Sequence, residues 1–236
     1  WAVIPGVMKA YLNVNEVISS IMMNYIGMYL VNYSVSLVLF DALRNQSLPV
    51  ATTAVIQNGF DKIFTGSPAN GGFVIAILFV ILIYIILNKT SFGYEMKACG
   101  FNKDASKYAG INEKRNIILS MVIAGALAGV GGGLLYLSGS GKFIEVVDVL
   151  PAEGFNGIPV ALLGLSNPIG VLFAGLFIAY LNVGGNAMQQ FGFIPQIVDI
   201  IISCIIYCSA LSLMIKVWLS KRRKTKELGT AKKEGE

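Results

Sequence analysis

Val17-Ile-Ser-Ser-Ile-Met-Met-Asn-Tyr-Ile-Gly-Met-Tyr-Leu-Val-Asn-Tyr-Ser-Val-Ser-Leu-Val-Leu-Phe40 runs for 24 residues between Glu16 and Asp41 without a charged side chain. A bilayer core of about 30 Å needs roughly 20 helical residues, so this stretch is long enough to cross one. Four further apolar runs follow: Gly72 to Asn88, Asn116 to Gly139, Phe155 to Asn182 and Ile194 to Leu219. None shows the period-two alternation of a membrane β-barrel strand. Across all 236 residues, 55% are apolar and 13% charged, with a mean hydropathy of +0.69. A soluble domain carries closer to about 25% charged residues. The expected fold is therefore all-α: a polytopic transmembrane helical bundle rather than a soluble enzyme.

Positive charge orients the spans. Loop 89–115 carries Lys89, Lys97, Lys103, Lys107, Lys114 and Arg115, and the tail 216–236 carries eight more, including Lys221-Arg222-Arg223-Lys224. Fourteen of the eighteen Lys and Arg residues thus lie in two segments, which places both in the cytoplasm. Connection 41–71 holds only Arg44 and Lys62, and 140–154 only Lys142, so both read as external. The net charge of +5 is this asymmetry and not a nucleic-acid patch. Residues 1–219 read as the membrane domain and 220–236 as a basic, disordered cytoplasmic tail.

Between two cytoplasmic segments a chain crosses the membrane an even number of times. Runs 116–139 and 194–219 already supply two crossings, so 155–182 is not one simple span. Pro168 disfavours helix at Asn167 and splits that run into roughly 11 and 14 residues. Eleven helical residues reach only about 16 Å. The expectation is a broken, re-entrant helical hairpin that enters and leaves on the external side. Irregular backbone at that depth must be buried in protein or line a cavity, and broken helices recur at transport sites.

The chain has no histidine, which removes Ser-His-Asp, Cys-His and His-bearing zinc chemistry. Its three cysteines make no disulfide framework; Cys99 sits in the basic loop, while Cys204 and Cys208 share one helical face and read as packing groups. The chain opens at Trp1 with neither Met nor a basic leader, so an N-terminally truncated fragment is expected. Gly139-Ser-Gly-Lys-Phe143 fails as a phosphate loop, since Phe143 stands where Ser or Thr is needed.

The basic loop contains a short amphipathic helix. Asn102 is a good N-cap and Gly110 a good C′ residue, bracketing about two turns. Phe101, Ala105, Tyr108 and Ala109 share an apolar face opposite Lys103 and Lys107. Spacing alone allows docking into a partner's groove or floating at lipid headgroups. Gly125, Gly129 and Gly133, at i, i+4 and i+8, form a small-residue face suited to close helix packing. Asp199, one turn inside the last run, is either a functional intramembrane acid or an interfacial helix-start charge. Asn24, Asn32 and Asn156 are candidate pore-lining amides, equally explained by interhelical hydrogen bonds. Asn45-Gln46-Ser47 fits a glycosylation sequon.

Gly100-Phe-Asn-Lys-Asp-Ala-Ser-Lys-Tyr-Ala-Gly-Ile111 resembles the cytoplasmic loop of ABC importer permeases serving branched-chain amino acids, simple sugars and nucleosides. Three more strings are similar to that family: Asn15-Glu-Val-Ile-Ser-Ser-Ile-Met-Met-Asn24, Gly154-Phe-Asn-Gly-Ile-Pro-Val-Ala-Leu-Leu-Gly164 and Asn167-Pro-Ile-Gly170. Gly185-Asn-Ala-Met-Gln-Gln190 followed by Ile194-Pro-Gln-Ile-Val-Asp199 is similar to its nucleoside (guanosine or purine) branch. Together they cover about residues 1–215. One departure is Pro159, where the family commonly has Ala; it is expected near the first turn of the half-helix, where Pro is tolerated.

The resemblance implies a non-enzymatic permease subunit in the plasma or inner membrane, with a cytoplasmic C-terminus. It implies a second permease subunit, two cytoplasmic ATPase subunits that bind the ATP, and an extracytoplasmic solute-binding protein or lipoprotein; the chain itself needs no cofactor or metal. It assigns coupling to the ATPase to Gly100, Asn102, Lys103, Ala105, Tyr108, Ala109 and Gly110. Asn24, Phe155, Asn156 and Asp199 are the substrate-pathway candidates. Family members carry several spans before the equivalent of Asn15. The alternatives are a simple-sugar permease or an ion-coupled carrier, the latter needing a buried ion site and usually an internal repeat.

Overall fold

The computed structural model describes residues 1–41, 43–44, 46–51, 53–56, 71–138, 143–192, 194, 196–208 and 211. The expected basic tail, the sequon's Asn45 and residues 139–142 lie outside them. Two compact units are present, Trp1–Leu150 and Pro151–Glu236.

In the first unit, α1 (Val3–Leu12) ends where Asn13 turns left-handed at φ 52°. Helix α2 (Glu16–Val38) begins at Asn15, whose side chain accepts a 2.9 Å hydrogen bond from the Val17 amide, satisfying an otherwise unpaired first-turn donor. Its 23 residues rise about 35 Å. A two-stranded antiparallel pair follows, β1 (Phe40–Asp41) with β2 (Gln46–Ser47). Helix α3 (Gly72–Lys89) is succeeded by α4 (Ser91–Phe101), α5 (Lys103–Tyr108) and α6 (Glu113–Leu137). The turn from α3 into α4 requires Gly93: a Cβ there would sit on the backbone of Ile86 and Leu87. Thr90 caps α4 by accepting from the Gly93 amide, and Asn112 caps α6 by accepting from that of Arg115.

Helix α1 packs along α6, with Gly6 against Ile118 and Met121 and Gly125 against the Ala2 side chain. The segment after α6 returns to the β pair: the Ser47 amide donates to the Ile144 carbonyl at 2.8 Å, and Gln46 bridges Glu145. Asn32 on α2 donates to the Val147 carbonyl at 3.0 Å and to the Asp148 carboxylate at 3.3 Å. Its amide thus ties a helix to a loop. The two connections expected to be external therefore meet at one end of α6, and α4 and α5 adjoin its other end.

The second unit contains α7 (Ala152–Leu163), α8 (Pro168–Met188), a 3₁₀ turn at Gln189–Phe191 and α9 (Gln196–Cys208). The break falls where the Asn167-Pro168 pair puts it, and α7 and α8 form a helical hairpin. Asn167 caps α8 by accepting from the Ile169 amide at 3.1 Å, with Pro168 at the first helical position. Two expectations need correction. The limbs are 12 and 21 residues, not 11 and 14, because Asn182, Gly184 and Gly185 continue the helix instead of ending it. Pro159 lies in the interior of α7, which starts earlier, at Ala152; with no N–H, it breaks one helical hydrogen bond there.

Among the described residues, α2, α3, α6 and α8 are long and apolar enough to cross a membrane. Among the described residues few apolar side chains are buried, Ala10, Val35, Ala174 and Val198 among them, whereas large side chains along α2, α3 and α8 are exposed. That distribution is inside-out for water and ordinary for helices facing hydrocarbon or other helices.

Candidate functional site

The α4–α5 segment is built from its caps inward. Asn102 takes an extended backbone and its Oδ1 accepts from the Ala105 amide at 3.0 Å. At the other end Gly110 is left-handed at φ +79°, a conformation glycine adopts without Cβ strain. Its amide donates to Lys107, and the Ile111 amide donates to Ser106. These bonds close the helix at the two residues the spacing selects, Asn102 and Gly110.

The apolar face formed by the end of α4 and by α5 is exposed. Phe101 is 89% and Tyr108 94% exposed, while Ser106 is only 4% exposed. Lys103 and Lys107 lie opposite that face; Lys103 makes a long 3.9 Å ion pair with Glu113, and Ala105, Ala109 and Gly100 are also exposed. A shallow groove of ≈ 490 Å³ runs between α4 and α5, lined by Tyr94, Ala98, Phe101, Ala105, Ala109 and Ile111.

Beneath α5 lies a polar cluster that pattern reading missed. The Cys99 thiol donates to Ser106 Oγ at 3.4 Å, and Ser106 in turn donates to the Lys103 carbonyl at 2.7 Å. Asn116, 2% exposed on the first turn of α6, donates through Nδ2 to Glu95 at 3.2 Å and approaches Cys99 Sγ at 3.8 Å. Its Oδ1 has no hydrogen-bond partner. The one signal in the sequence is Asn116 itself, the polar residue that opens an apolar run.

Asn24 is exposed on α2, Phe155 and Asn156 are exposed on α7, and Asp199 is exposed one turn inside α9. Of the three packing glycines, Gly125 meets Ala2, but a Cβ at Gly129 or Gly133 would meet nothing within 4 Å. The small-residue face is therefore used at one position only within the described residues. Cys204 and Cys208 are likewise exposed and not packed.

Residues 1–210 match the family described as branched-chain amino acid transport system / permease component. The nucleoside ABC transporter permease protein NupB of Lactococcus lactis subsp. cremoris (strain MG1363) is 38% identical, over 99% of this chain and 65% of its own length. The guanosine ABC transporter permease protein NupP of Bacillus subtilis (strain 168) is 37% identical, over 95% of this chain and 64% of its own. The glucose ABC transporter permease protein TsgB13 of Haloferax volcanii is 29% identical, over 87% and 56%. The chain thus spans just under two thirds of the length of the first two relatives. No solved structure matches it.

Proposed function

The chain belongs to the family of branched-chain amino acid transport system permease components, and from that premise we propose that it is the membrane-spanning part of an ATP-driven importer whose cargo is a nucleoside. Carrying the proposal is the exposed apolar face at α5, capped at both ends and with lysines opposite. A helix of six residues cannot cross a bilayer, so Tyr108, with Phe101 at the end of α4, calls for a protein groove. A cytoplasmic ATPase subunit supplies it. Two such subunits bind and hydrolyse ATP, Gly100, Asn102, Lys103, Ala105, Tyr108, Ala109 and Gly110 form the coupling element, and this chain does no chemistry of its own.

Nucleoside cargo is favoured over sugar because the relatives named for nucleoside and guanosine are 37–38% identical over nearly the whole chain, against 29% for the glucose permease. Phe155, half-exposed on α7, offers a ring for stacking on a base, and Asn24 and Asn156 offer amides that both donate and accept. A second permease subunit completes the pathway, and an extracytoplasmic binding protein delivers the solute. Loop 89–115 and the C-terminus lie in the cytoplasm. In this arrangement α7 enters about 18 Å from outside, and α8, about 31 Å long, returns past the level at which α7 entered. The end of α8 then lies on the external side, and α9 begins the last inward crossing.

The test is reconstitution of the native complex, purified through a tag on this subunit, in proteoliposomes with its binding protein. ATP-dependent, vanadate-sensitive accumulation of labelled guanosine or adenosine is expected, with none for ribose, glucose or leucine. Sugar accumulation would transfer the cargo to the sugar branch, and uptake driven by an ion gradient without ATP would end the proposal.

A further inference from the structure

Within the first unit α3 packs chiefly on α4. On its open side a shallow groove of ≈ 520 Å³ runs from Val74 to Ile86, with Leu78, Ile81, Leu82 and Ile85 between them. These residues recur at three- and four-residue spacing, so they form one stripe along the helix. From Val74 to Ile86 the helix rises about 18 Å, a little more than one leaflet of a hydrocarbon core about 30 Å thick. Every lining side chain is aliphatic, and Val74, Leu78 and Ile81 are half exposed or more.

Two kinds of cover suit such a groove, another helix or a lipid chain, and the chemistry of the stripe separates them. Where helices of this chain come together, glycine is at the contact: Gly6 between α1 and α6, Gly164 and Gly170 between α7 and α8, Gly185 against Val198 of α9. Small residues let helix backbones approach closely where water exclusion does not drive them together. The α3 stripe has no small residue and no polar side chain. The small residues of α3, Gly72 and Ala76, fall on the opposite side of the helix at 3.6 residues per turn.

The far end of the groove is cationic. Lys89 follows Ile85 at i+4 and Leu82 at i+7, so it continues the same stripe. Asn88, at i+3 from Ile85, accepts a 2.7 Å hydrogen bond from the Lys97 ammonium of α4. An ammonium has three protons to donate, and Lys97 uses one of them on Asn88. Lys89 and Lys97 are both exposed, and neither forms an ion pair among the described residues.

We propose that this groove binds one anionic phospholipid, with an acyl chain lying along α3 from Ile86 toward Val74 and the phosphate held by Lys89 and Lys97. The aliphatic stripe accepts any acyl chain; the two ammonium groups select the headgroup. A zwitterionic lipid carries its own cation beside the phosphate and gains little from them, whereas a headgroup of net negative charge gains from both. The site requires that α3 span the membrane with Lys89 at its surface, and it holds whatever the cargo is. In the orientation proposed above, the lipid belongs to the cytoplasmic leaflet.

The test is photolabelling of the native complex, purified through a tag on this subunit and reconstituted in phosphatidylcholine. The probes are phosphatidylglycerol and phosphatidylcholine, each with a diazirine on one acyl chain, and labelled peptides are mapped by mass spectrometry. The phosphatidylglycerol probe is expected to label residues 72–89 about twentyfold more than the phosphatidylcholine probe. Lys89→Gln or Lys97→Gln alone lowers that preference about fivefold, and the two together abolish it. Arginine at both positions restores it, which a loss of packing would not allow. Lys107→Gln, on α5 and away from the groove, leaves it unchanged. Unlabelled phosphatidylglycerol competes with the probe, and inorganic phosphate does not. Equal labelling by the two probes, or a preference that survives the double glutamine substitution, overturns the site. Competition by inorganic phosphate overturns it too, since the anion would then bind without its lipid. So does an α3 that neither probe labels, because the stripe is then covered by another helix.

Discussion

Replacing Gly164 by Ala tests the hairpin at its tightest point. A Cβ at Gly164 would lie 2.5 Å from the Val171 nitrogen, 2.6 Å from Val171 Cα and 2.8 Å from the Gly170 carbonyl carbon. Reciprocally, a Cβ at Gly170 would fall on the Gly164 carbonyl oxygen. All of these are backbone atoms, so no rotamer change relieves the overlap. Overpacking costs about 1–3 kcal/mol, and the rigid contact puts this site near about 3. Alanine returns about 0.4–1 kcal/mol by restricting the unfolded chain. The net loss is therefore about 2 kcal/mol, a roughly thirtyfold fall in the folded-to-unfolded ratio. Gly129→Ala is the matched control: it sits inside α6 with nothing within 4 Å, and it gains up to about 1 kcal/mol of helix propensity. Denaturation midpoints of the micelle-solubilised subunit, followed by circular dichroism, read both changes. The reasoning is refuted if Gly164→Ala unfolds at the wild-type midpoint, or if Gly129→Ala falls as far.

Ala105→Glu or Ala109→Glu places a carboxylate on the exposed apolar face of α5, so co-purification of the ATPase and ATP-driven uptake should both fall about tenfold or more, with the denaturation midpoint unchanged. Retained uptake would remove α5 from coupling. A single cysteine at Lys107, in a background without native thiols, should react with an impermeant maleimide only after the cytoplasmic side is opened; labelling of intact cells would reverse the topology.

Long-range architecture was legible because it rests on coarse quantities. A charge-free run such as 17–40 has one economical fate in a bilayer, and the lysine-rich loop separates two crossings whatever their packing. Local chemistry was legible where backbone demand is strict: Asn102, Gly110 and the Asn167-Pro168 break each satisfy or forbid particular helix-end groups, and all three act where the pattern puts them. Helix α1 and the ends of α8 were harder. A ten-residue apolar helix is too short to register as a span, and Gly184 and Gly185 look like a stop although helical glycine is tolerated in membranes. The Ser106–Asn116 cluster escaped for another reason. Single polar residues in apolar runs promise a hydrogen bond without naming the partner, and here the partners lie on three different helices.

Exposure of apolar side chains has two physical meanings in this molecule, and separating them locates the functional surface. On α2, α3 and α8 exposed aliphatic and aromatic residues occupy helices of 18 to 23 residues, and hydrocarbon satisfies such surfaces without any specific partner. Helix α5 has six residues, caps at both ends, and Lys103 and Lys107 opposite its apolar face. Lipid headgroups would hold the lysines, but they would set no requirement that Ala105 and Ala109 be small or that a groove open between α4 and α5. Two small residues between two exposed aromatic rings match a complementary protein surface. That surface also adjoins, through Ser106, the polar cluster of Cys99 and Asn116.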